Sequence, residues 1–410
     1  MLDNLSEVNN PNEDRFKELR LRNLDYYKVK GEIKTGIDME GTINEGKRFI
    51  LNYLNADEKD WNDYQWQLKN SFTKAIDIAQ FLNLSEGEAL NIEAVSKQFR
   101  FLISPYFLSL IDPQNLNCPV RKQCIPSLEE LDETGSLDPV NEHGTSIEGI
   151  ITRRYPDRLI INITNMCGTY CRHCQRKRLF GECESVVSKN DLLRALEYIR
   201  ENVEIRDVLI TGGDALLVSN EKIEWILSEL RKIKHIEIIR LGTRAPVTLP
   251  QRITKKLTNI IKRYHPVYIN TQFNHPLEIT NESKAACEML ADAGIPLGNQ
   301  MVLLNGINND INIVKKLNQQ LLLLRVKPYY IFHPKQVKGT KHFWVSIDEG
   351  IEIMDGLRGY TSGMAVPYYV VNGPDGLGKT PILPQYLLYA NKDKAVFRNW
   401  EGKVFEVDNI

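Results

Sequence analysis

The sequence predicts an α/β fold: a partial (β/α)6 TIM-like barrel, with a helical region before it and a short β-meander after it. Short apolar runs at 159–163, 208–211, 236–241, 267–272, 296–303, 328–332 and 366–371 read as strands. Segments with a 3.6-residue period separate most of them, at 191–201, 220–232, 253–262, 283–293, 311–324 and 347–359. Repeated β–α units require a parallel sheet, because each crossover must return over a face of the sheet. Six such units, closed or part-closed into a barrel, suit the length better than a doubly wound sheet. A barrel places its chemistry at the C-terminal strand ends.

The flanking regions follow in order. Residues 1–50 are polar, with scattered apolar positions (Phe16, Leu19, Leu21, Tyr26, Tyr27), and read as a variable, loosely packed extension. Residues 51–145 form a helical region and connector. Trp61, Tyr64, Trp66 and Leu68 precede Phe72, Ala75, Ile76 and Ile78, and Leu84-Ser-Glu-Gly-Glu88 has the form of a helix N-terminus with an acidic first turn. A Pro- and Asp-rich stretch at 112–138 carries Cys118 and Cys124. The barrel occupies 146–379. At 380–410 the runs Tyr386-Leu-Leu-Tyr389, Ala395-Val-Phe397 and Val404-Phe-Glu-Val407 suggest a terminal β-meander.

Charge is balanced, with 52 basic and 53 acidic residues in 410. That gives no electrostatic footprint for nucleic acid or an anionic membrane. Apolar stretches such as Gln320-Leu-Leu-Leu-Leu324 are far too short to span a bilayer. The start, Met1-Leu-Asp-Asn-Leu-Ser-Glu7, lacks the basic and apolar segments of a leader, so a cytoplasmic location is expected. The 7 cysteines are odd in number, and three fall within eight residues. Paired disulfides predict neither feature, whereas a reducing compartment with a metal or redox role predicts both. Cys118, Cys124, Cys183 and Cys287 read as ordinary free thiols.

Cys167-Gly-Thr-Tyr-Cys171-Arg-His-Cys174 follows directly on the first barrel strand. Thiolates spaced by four and three residues on one loop can converge on a soft metal centre. Three ligands fall one short of a four-iron cube, leaving an open iron for a chelating small molecule. A structural zinc site is the alternative, but it needs a fourth ligand, and His173 sits too close to its neighbours to serve comfortably. Unrelated thiols are the other. The next strand ends in Thr211-Gly-Gly-Asp214, where glycines let the backbone approach a ligand and the acid can receive an ammonium.

Gly373-Pro-Asp-Gly-Leu-Gly378-Lys379-Thr380 satisfies the phosphate-loop expression, but a phosphate loop must open a helix at its Lys-Thr. Pro381 and Pro384 follow at once, so that reading is weak. Lys379 can instead be a Schiff-base lysine presented to an aldehyde cofactor such as pyridoxal phosphate, or simply a solvated loop charge.

Taken together, Arg153-Arg-Tyr-Pro-Asp-Arg158, the cysteine triplet with Gln175-Arg-Lys-Arg178, Thr211-Gly-Gly-Asp-Ala-Leu-Leu217, Asn274-His-Pro276, Gly356-Leu-Arg-Gly-Tyr-Thr-Ser-Gly363 and Gly376-Leu-Gly-Lys-Thr-Pro381 resemble the lysine 2,3-aminomutase family of radical S-adenosylmethionine (SAM) enzymes. The resemblance runs from about Trp61 to the C-terminus and includes Arg121-Lys-Gln123. It implies a radical SAM partial barrel in which Cys167, Cys171 and Cys174 bind a [4Fe–4S] cluster. The turn Gly212-Gly213-Asp214 would bind the methionine part of SAM. Lys379 would hold pyridoxal 5′-phosphate, with Arg154 and Arg158 on its phosphate, and Arg176 would take the substrate α-carboxylate. A 5′-deoxyadenosyl radical would take a hydrogen from C3 while the amino group moves from C2 to C3. The resemblance also implies a homo-oligomer and an electron donor of flavodoxin or ferredoxin type. Gln272 stands where a histidine near the cofactor phosphate is expected. No cysteine follows Cys287, so no C-terminal zinc site is expected.

Two departures bear on the substrate. The lysine enzyme recognises the distal ammonium with two aspartates, and here those positions hold Lys335 and Asn372. A second ammonium beside Lys335 would be repelled, whereas a carboxylate would pair with it and accept from the amide. The expected substrate is therefore L-glutamate and the product β-glutamate. The alternative is a 2,3-aminomutase acting on free or protein-bound lysine. A phosphate-loop nucleotidase with a zinc knuckle and a non-catalytic iron–sulfur sensor are rivals of other classes.

Overall fold

Ten strands make one curled sheet whose spatial order is the chain order: β1 (Ser146–Ile147), β2 (Ile151–Tyr155), β3 (Arg158–Asn162), β4 (Asp207–Thr211), β5 (Ile238–Gly242), β6 (Val267–Thr271), β7 (Leu297–Val302), β8 (Val326–Phe332), β9 (Tyr368–Gly373) and β10 (Gly378–Ile382). Strands β3 to β9 run parallel. β1 and β2 close one edge antiparallel, and β10 closes the other. The computed structural model describes residues 11–409 apart from 148, 181 and 182, so the run Met1 to Glu7 lies outside the described residues.

The α/β partial barrel expected from the sequence is the one observed, with strand ends within about two residues of those expected. Helices Lys189–Glu201, Asn220–Arg231, Lys255–Lys262, Asn281–Asp292, Ile311–Leu323 and Ile347–Leu357 make the crossovers. Each buries a stripe, as Leu192, Ala195, Leu196 and Ile199 show at helical spacing on the first. Side chains in β3, β4 and β5 alternate. Leu159, Ile161, Val208, Ile210, Ile239 and Leu241 are buried in the hydrophobic core shared with the helices. Fully burying each contributes about 1.5–3 kcal/mol. Of the intervening positions, the polar Arg158, Asp207 and Arg240 face a cavity together with Ile160 and Leu209. A closed barrel fills its interior with branched apolar side chains; this one leaves room for ligands.

The N-terminal region packs more firmly than its composition suggests. Helix Glu40–Tyr53 buries Ile43, Gly46, Ile50 and Leu51, so residues 40–50 belong to the packed body. Phe16 and Leu21, on helix Pro11–Leu21, remain exposed. The expected helix start near Glu88 is present as a capping box: Ser85 Oγ accepts from the Glu88 backbone N–H and the Glu88 carboxylate accepts from that of Ser85. The terminal meander consists of β11 (Leu387–Ala390), β12 (Lys394–Arg398) and β13 (Val404–Asp408). No helix among the described residues is long and apolar enough to cross a membrane.

Candidate active site

The loop after β3 carries the cysteine triplet, and the N-terminal region pins it. Tyr170 N–H donates to Leu102 O and Arg172 N–H to Gln123 O, each at 2.8 Å. The buried Arg172 guanidinium and the Lys177 amine both pair with Glu130. From the other side the β4 end presses on the loop. A Cβ on Gly212 would sit 2.1 Å from Thr164 O, and one on Gly213 would sit 2.2 Å from Met166 O. Only glycine permits this approach, which is fastened by Gly213 N–H on Thr164 O at 2.6 Å and Asp214 N–H on Met166 O at 2.7 Å.

Cys167, Cys171 and Cys174 all line one cavity of about 310 Å³. Among the described residues no three His, Cys, Asp or Glu gather closely enough to hold a single ion. A cube needs no such gathering, since each thiolate takes a different corner iron. Burial pushes the Cys167 and Cys174 thiols up, so loading iron would release protons. Arg244 Nη1 donates to Cys171 Sγ, which suits a sulfur that carries negative charge.

Asp214 is also held by the protein itself. Its buried carboxylate already accepts from Leu216 N–H, the Thr243 hydroxyl and Arg244 N–H at 3.0, 2.6 and 2.8 Å. It therefore braces the β4 and β5 ends, and it lines the cysteine cavity as well. Gln272 lies beside the cysteine loop, with Nε2 3.0 Å from His173 Nε2. It does not line the neighbouring cavity of about 380 Å³, where Arg158 sits.

Lys379 is on β10, directly across the β9–β10 hairpin from Asn372. Side chains in such a pair share a face, and both line the cysteine cavity and a neighbouring one of about 380 Å³. Gly378, at φ +87, brings the strand so near Tyr155 that a Cβ there would sit 2.8 Å from the phenol oxygen. Tyr155 Oη in turn accepts from Lys379 N–H at 2.8 Å. This segment is extended, so the helix that a phosphate loop requires is absent and that reading is overturned. Lys379 is exposed as a residue, but desolvation of its amine at the cavity, with Arg240, Arg158 and Arg154 nearby, brings it down to about 8, which makes it a usable nucleophile near neutrality.

Alternation along β2 sorts its two arginines. Arg153 turns outward to Tyr198, Asn202 and Glu204, while Arg154 turns inward and its buried Nη2 has no partner. Arg158 lies 3.9 Å over the Tyr155 ring and lines the 380 Å³ cavity with Lys379. An orphaned guanidinium nitrogen, a second arginine and a depressed lysine amine fit an anionic aldehyde cofactor such as pyridoxal phosphate.

Lys335 faces inward. Its amine shares the cysteine cavity with Arg176, Asn372 and Lys379 and donates to Gln175 Oε1. Burial, with Lys379, Arg176 and Arg154 nearby, lowers it to about 7 against the pull of Glu142. Asn372 Nδ2 is buried without an acceptor. Arg176 is not free: Nη2 donates to Glu142 at 2.7 Å and Nη1 to Gly212 O at 2.8 Å. A substrate carboxylate would share that guanidinium with Glu142. Nothing local in the sequence marks Glu142 or Arg244 as cavity residues, because each finds its place through contacts distant along the chain, whereas Gln175 directly follows Cys174 and lies in a motif already singled out. Tyr155 stood inside a quoted motif and could have been found by the strand alternation.

This is the architecture of a radical SAM enzyme: an open parallel barrel with three cysteines after its first strand and a glycine turn after its second. A profile for the radical SAM superfamily matches residues 161–317, and one described as lysine-2,3-aminomutase matches residues 354–408. Glutamate 2,3-aminomutase of Clostridioides difficile is 55% identical over 97% of this chain and 94% of its own. L-lysine 2,3-aminomutases of Fusobacterium nucleatum (47%, over 88% of this chain and 85% of that one) and Clostridium subterminale (46%, over 87% and 86%) are also similar. The chain belongs to the lysine 2,3-aminomutase family and is a radical SAM aminomutase, an isomerase whose family uses a [4Fe–4S] cluster and SAM.

Proposed function

We propose that this enzyme moves the α-amino group of L-glutamate from C2 to C3, giving β-glutamate, with pyridoxal phosphate held by Lys379. The observation that carries this reading is the inward amine of Lys335, which shares one cavity with the unpartnered Asn372 amide. Two like charges 4 Å apart at an effective dielectric of about 20 repel by about 4 kcal/mol, close to three orders of magnitude in binding. With its amine lowered to about 7, Lys335 would lose its proton beside a substrate ammonium and leave that ammonium without a partner, whereas a carboxylate would hold the Lys335 charge in place and gain an attraction of this size. The similarity to a glutamate 2,3-aminomutase agrees.

When bound, the cluster and SAM supply the radical that takes hydrogen from C3, and pyridoxal phosphate supplies the π-system that lets nitrogen migrate. The protein's part is placement. Cys167, Cys171 and Cys174 would hold the cluster, with Gly212 and Gly213 setting the loop and Asp214 bracing it. Arg154 and Arg158 would hold the phosphate, and Lys379 would bind the cofactor and yield it to substrate. Arg176, steadied by Glu142, would take the α-carboxylate, with Lys335 and Asn372 on the distal one. Holding both ends of the amino acid fixes C3 against the radical source. An electron donor of flavodoxin or ferredoxin type would reduce the cluster, and a homo-oligomer is the expected assembly.

The test is an anaerobic assay of reconstituted protein with SAM, pyridoxal phosphate and reductant, offering glutamate and lysine separately. β-Glutamate from the first alone is expected. Turnover of lysine but not glutamate would sink the proposal.

A further inference from the structure

Gln175 and Arg176, the two residues after the last cysteine, diverge. Arg176 turns to Glu142 and the Gly212 carbonyl. Gln175 turns to the segment following β8, where Oε1 accepts from Lys335 Nζ across 160 positions of chain. Both side chains line the 310 Å³ cavity. The orientation of the amide is fixed by chemistry, because an ammonium only donates and must meet the oxygen.

The two cations are thus treated differently. Arg176 rests on a carboxylate, which offsets its charge, whereas the hydrogen bond of Lys335 goes to a neutral amide and leaves the counter-charge to be supplied by a ligand. With Oε1 occupied, the Nε2 amide group of Gln175 remains available to donate. Asn372 Nδ2, also in this cavity, is a buried donor without an acceptor. One ammonium and two amide N–H groups form a donor set that matches the oxygens of a carboxylate and offers an ammonium little.

We infer that Gln175 is a specificity-determining residue. It aims Lys335 into the cavity without neutralising it, and it gives a further N–H to the distal carboxylate of an α-amino dicarboxylic acid. The inference rests on the glutamate reading above and adds a residue contributed by the cysteine loop itself. The loop would then touch both ends of the substrate, one carboxylate through Arg176 and the other through Gln175.

Gln175→Glu keeps the shape but sets a negative charge against Lys335, and Gln175→Leu removes both hydrogen bonds at similar volume. The experiment is equilibrium binding to the unreduced holoenzyme, followed by the visible absorbance of its pyridoxal phosphate. The ligands are glutamate and norvaline, an α-amino acid without the distal carboxylate. Hydrogen bonds to charged groups are worth enough that glutamate should bind about tenfold more weakly to each variant. Norvaline should stay within about twofold of the wild type. Iron and cofactor content are measured alongside; if Gln175→Glu fails to load, Gln175→Leu decides. Variants that keep the wild-type ratio of glutamate to norvaline affinity, or that lose both ligands equally, overturn the role of Gln175. A wild-type enzyme that binds norvaline as well as glutamate overturns the glutamate reading itself, whatever the variants do.

Discussion

Arg244 reaches Cys171 Sγ through Nη1 at 2.6 Å, while its Nη2 is divided between Gln123 Oε1 at 2.6 Å and Glu278 Oε1 at 2.7 Å. A cysteine of the triplet is thereby tied to the connector and to the turn after β6 through one buried guanidinium. Hydrogen bonds to cluster sulfurs raise the reduction potential. Arg244→Lys keeps a cation against Glu278 but cannot form the fork. The cluster potential should move to more negative values, by about 59 mV for each tenfold change in the one-electron equilibrium. A redox titration followed by paramagnetic resonance checks this; an unchanged midpoint refutes it.

Lys335→Asp together with Asn372→Asp replaces an ammonium and an amide by two carboxylates in the lining of the cavity. Preference should shift from glutamate toward lysine by on the order of a thousandfold in kcat/KM, the factor set by about 4 kcal/mol of reversed charge contact. Parallel assays with the two amino acids read the change. A preference that does not move places substrate selection elsewhere.

Lys379→Ala should abolish turnover and the visible absorbance of bound pyridoxal phosphate while leaving iron content intact. A non-catalytic sensor would lose nothing. The wild-type amine, lowered from 10.5 to about 8, is protonated and unreactive below that value. Cofactor capture by the apoprotein should therefore accelerate as pH rises and level off above about 8, whereas an ordinary lysine would level off only near 10.5. Stopped-flow absorbance across this range gives the answer.

Gly213→Ala forces a methyl group against Met166 O, at 2.2 Å before any relaxation. The cysteine loop must shift, so iron content after reconstitution should drop severalfold and the melting temperature of the apoprotein should fall. A variant that loads iron normally would show that the glycine turn does not set the loop.

The barrel was legible because its strands and helices announce themselves locally: Leu192, Ala195, Leu196 and Ile199 recur at helical spacing and can face only one way. The triplet Cys167, Cys171 and Cys174 and the lysine at 379 were legible for the same reason, each being a compact pattern. Helix Glu40–Tyr53 was missed although Ile43, Gly46 and Ile50 mark its buried stripe, because the polar residues between them dominate the composition. Partnerships were harder. Glu142 meets Arg176 from 34 residues away, Gln175 meets Lys335 from 160, and Asp214 spends its carboxylate on Thr243 and Arg244. No local pattern encodes such pairings; they exist only once the sheet has curled.

The register that sets Asn372 opposite Lys379 also couples two properties that residues on separate elements would leave independent. The residue that would judge the far end of the substrate and the residue that would anchor the coenzyme ride on facing rungs of one ladder, joined by a turn of a few residues. Slipping the register of that hairpin by a single position would turn one of them away from the chamber, so the two roles stand or fall with one pairing.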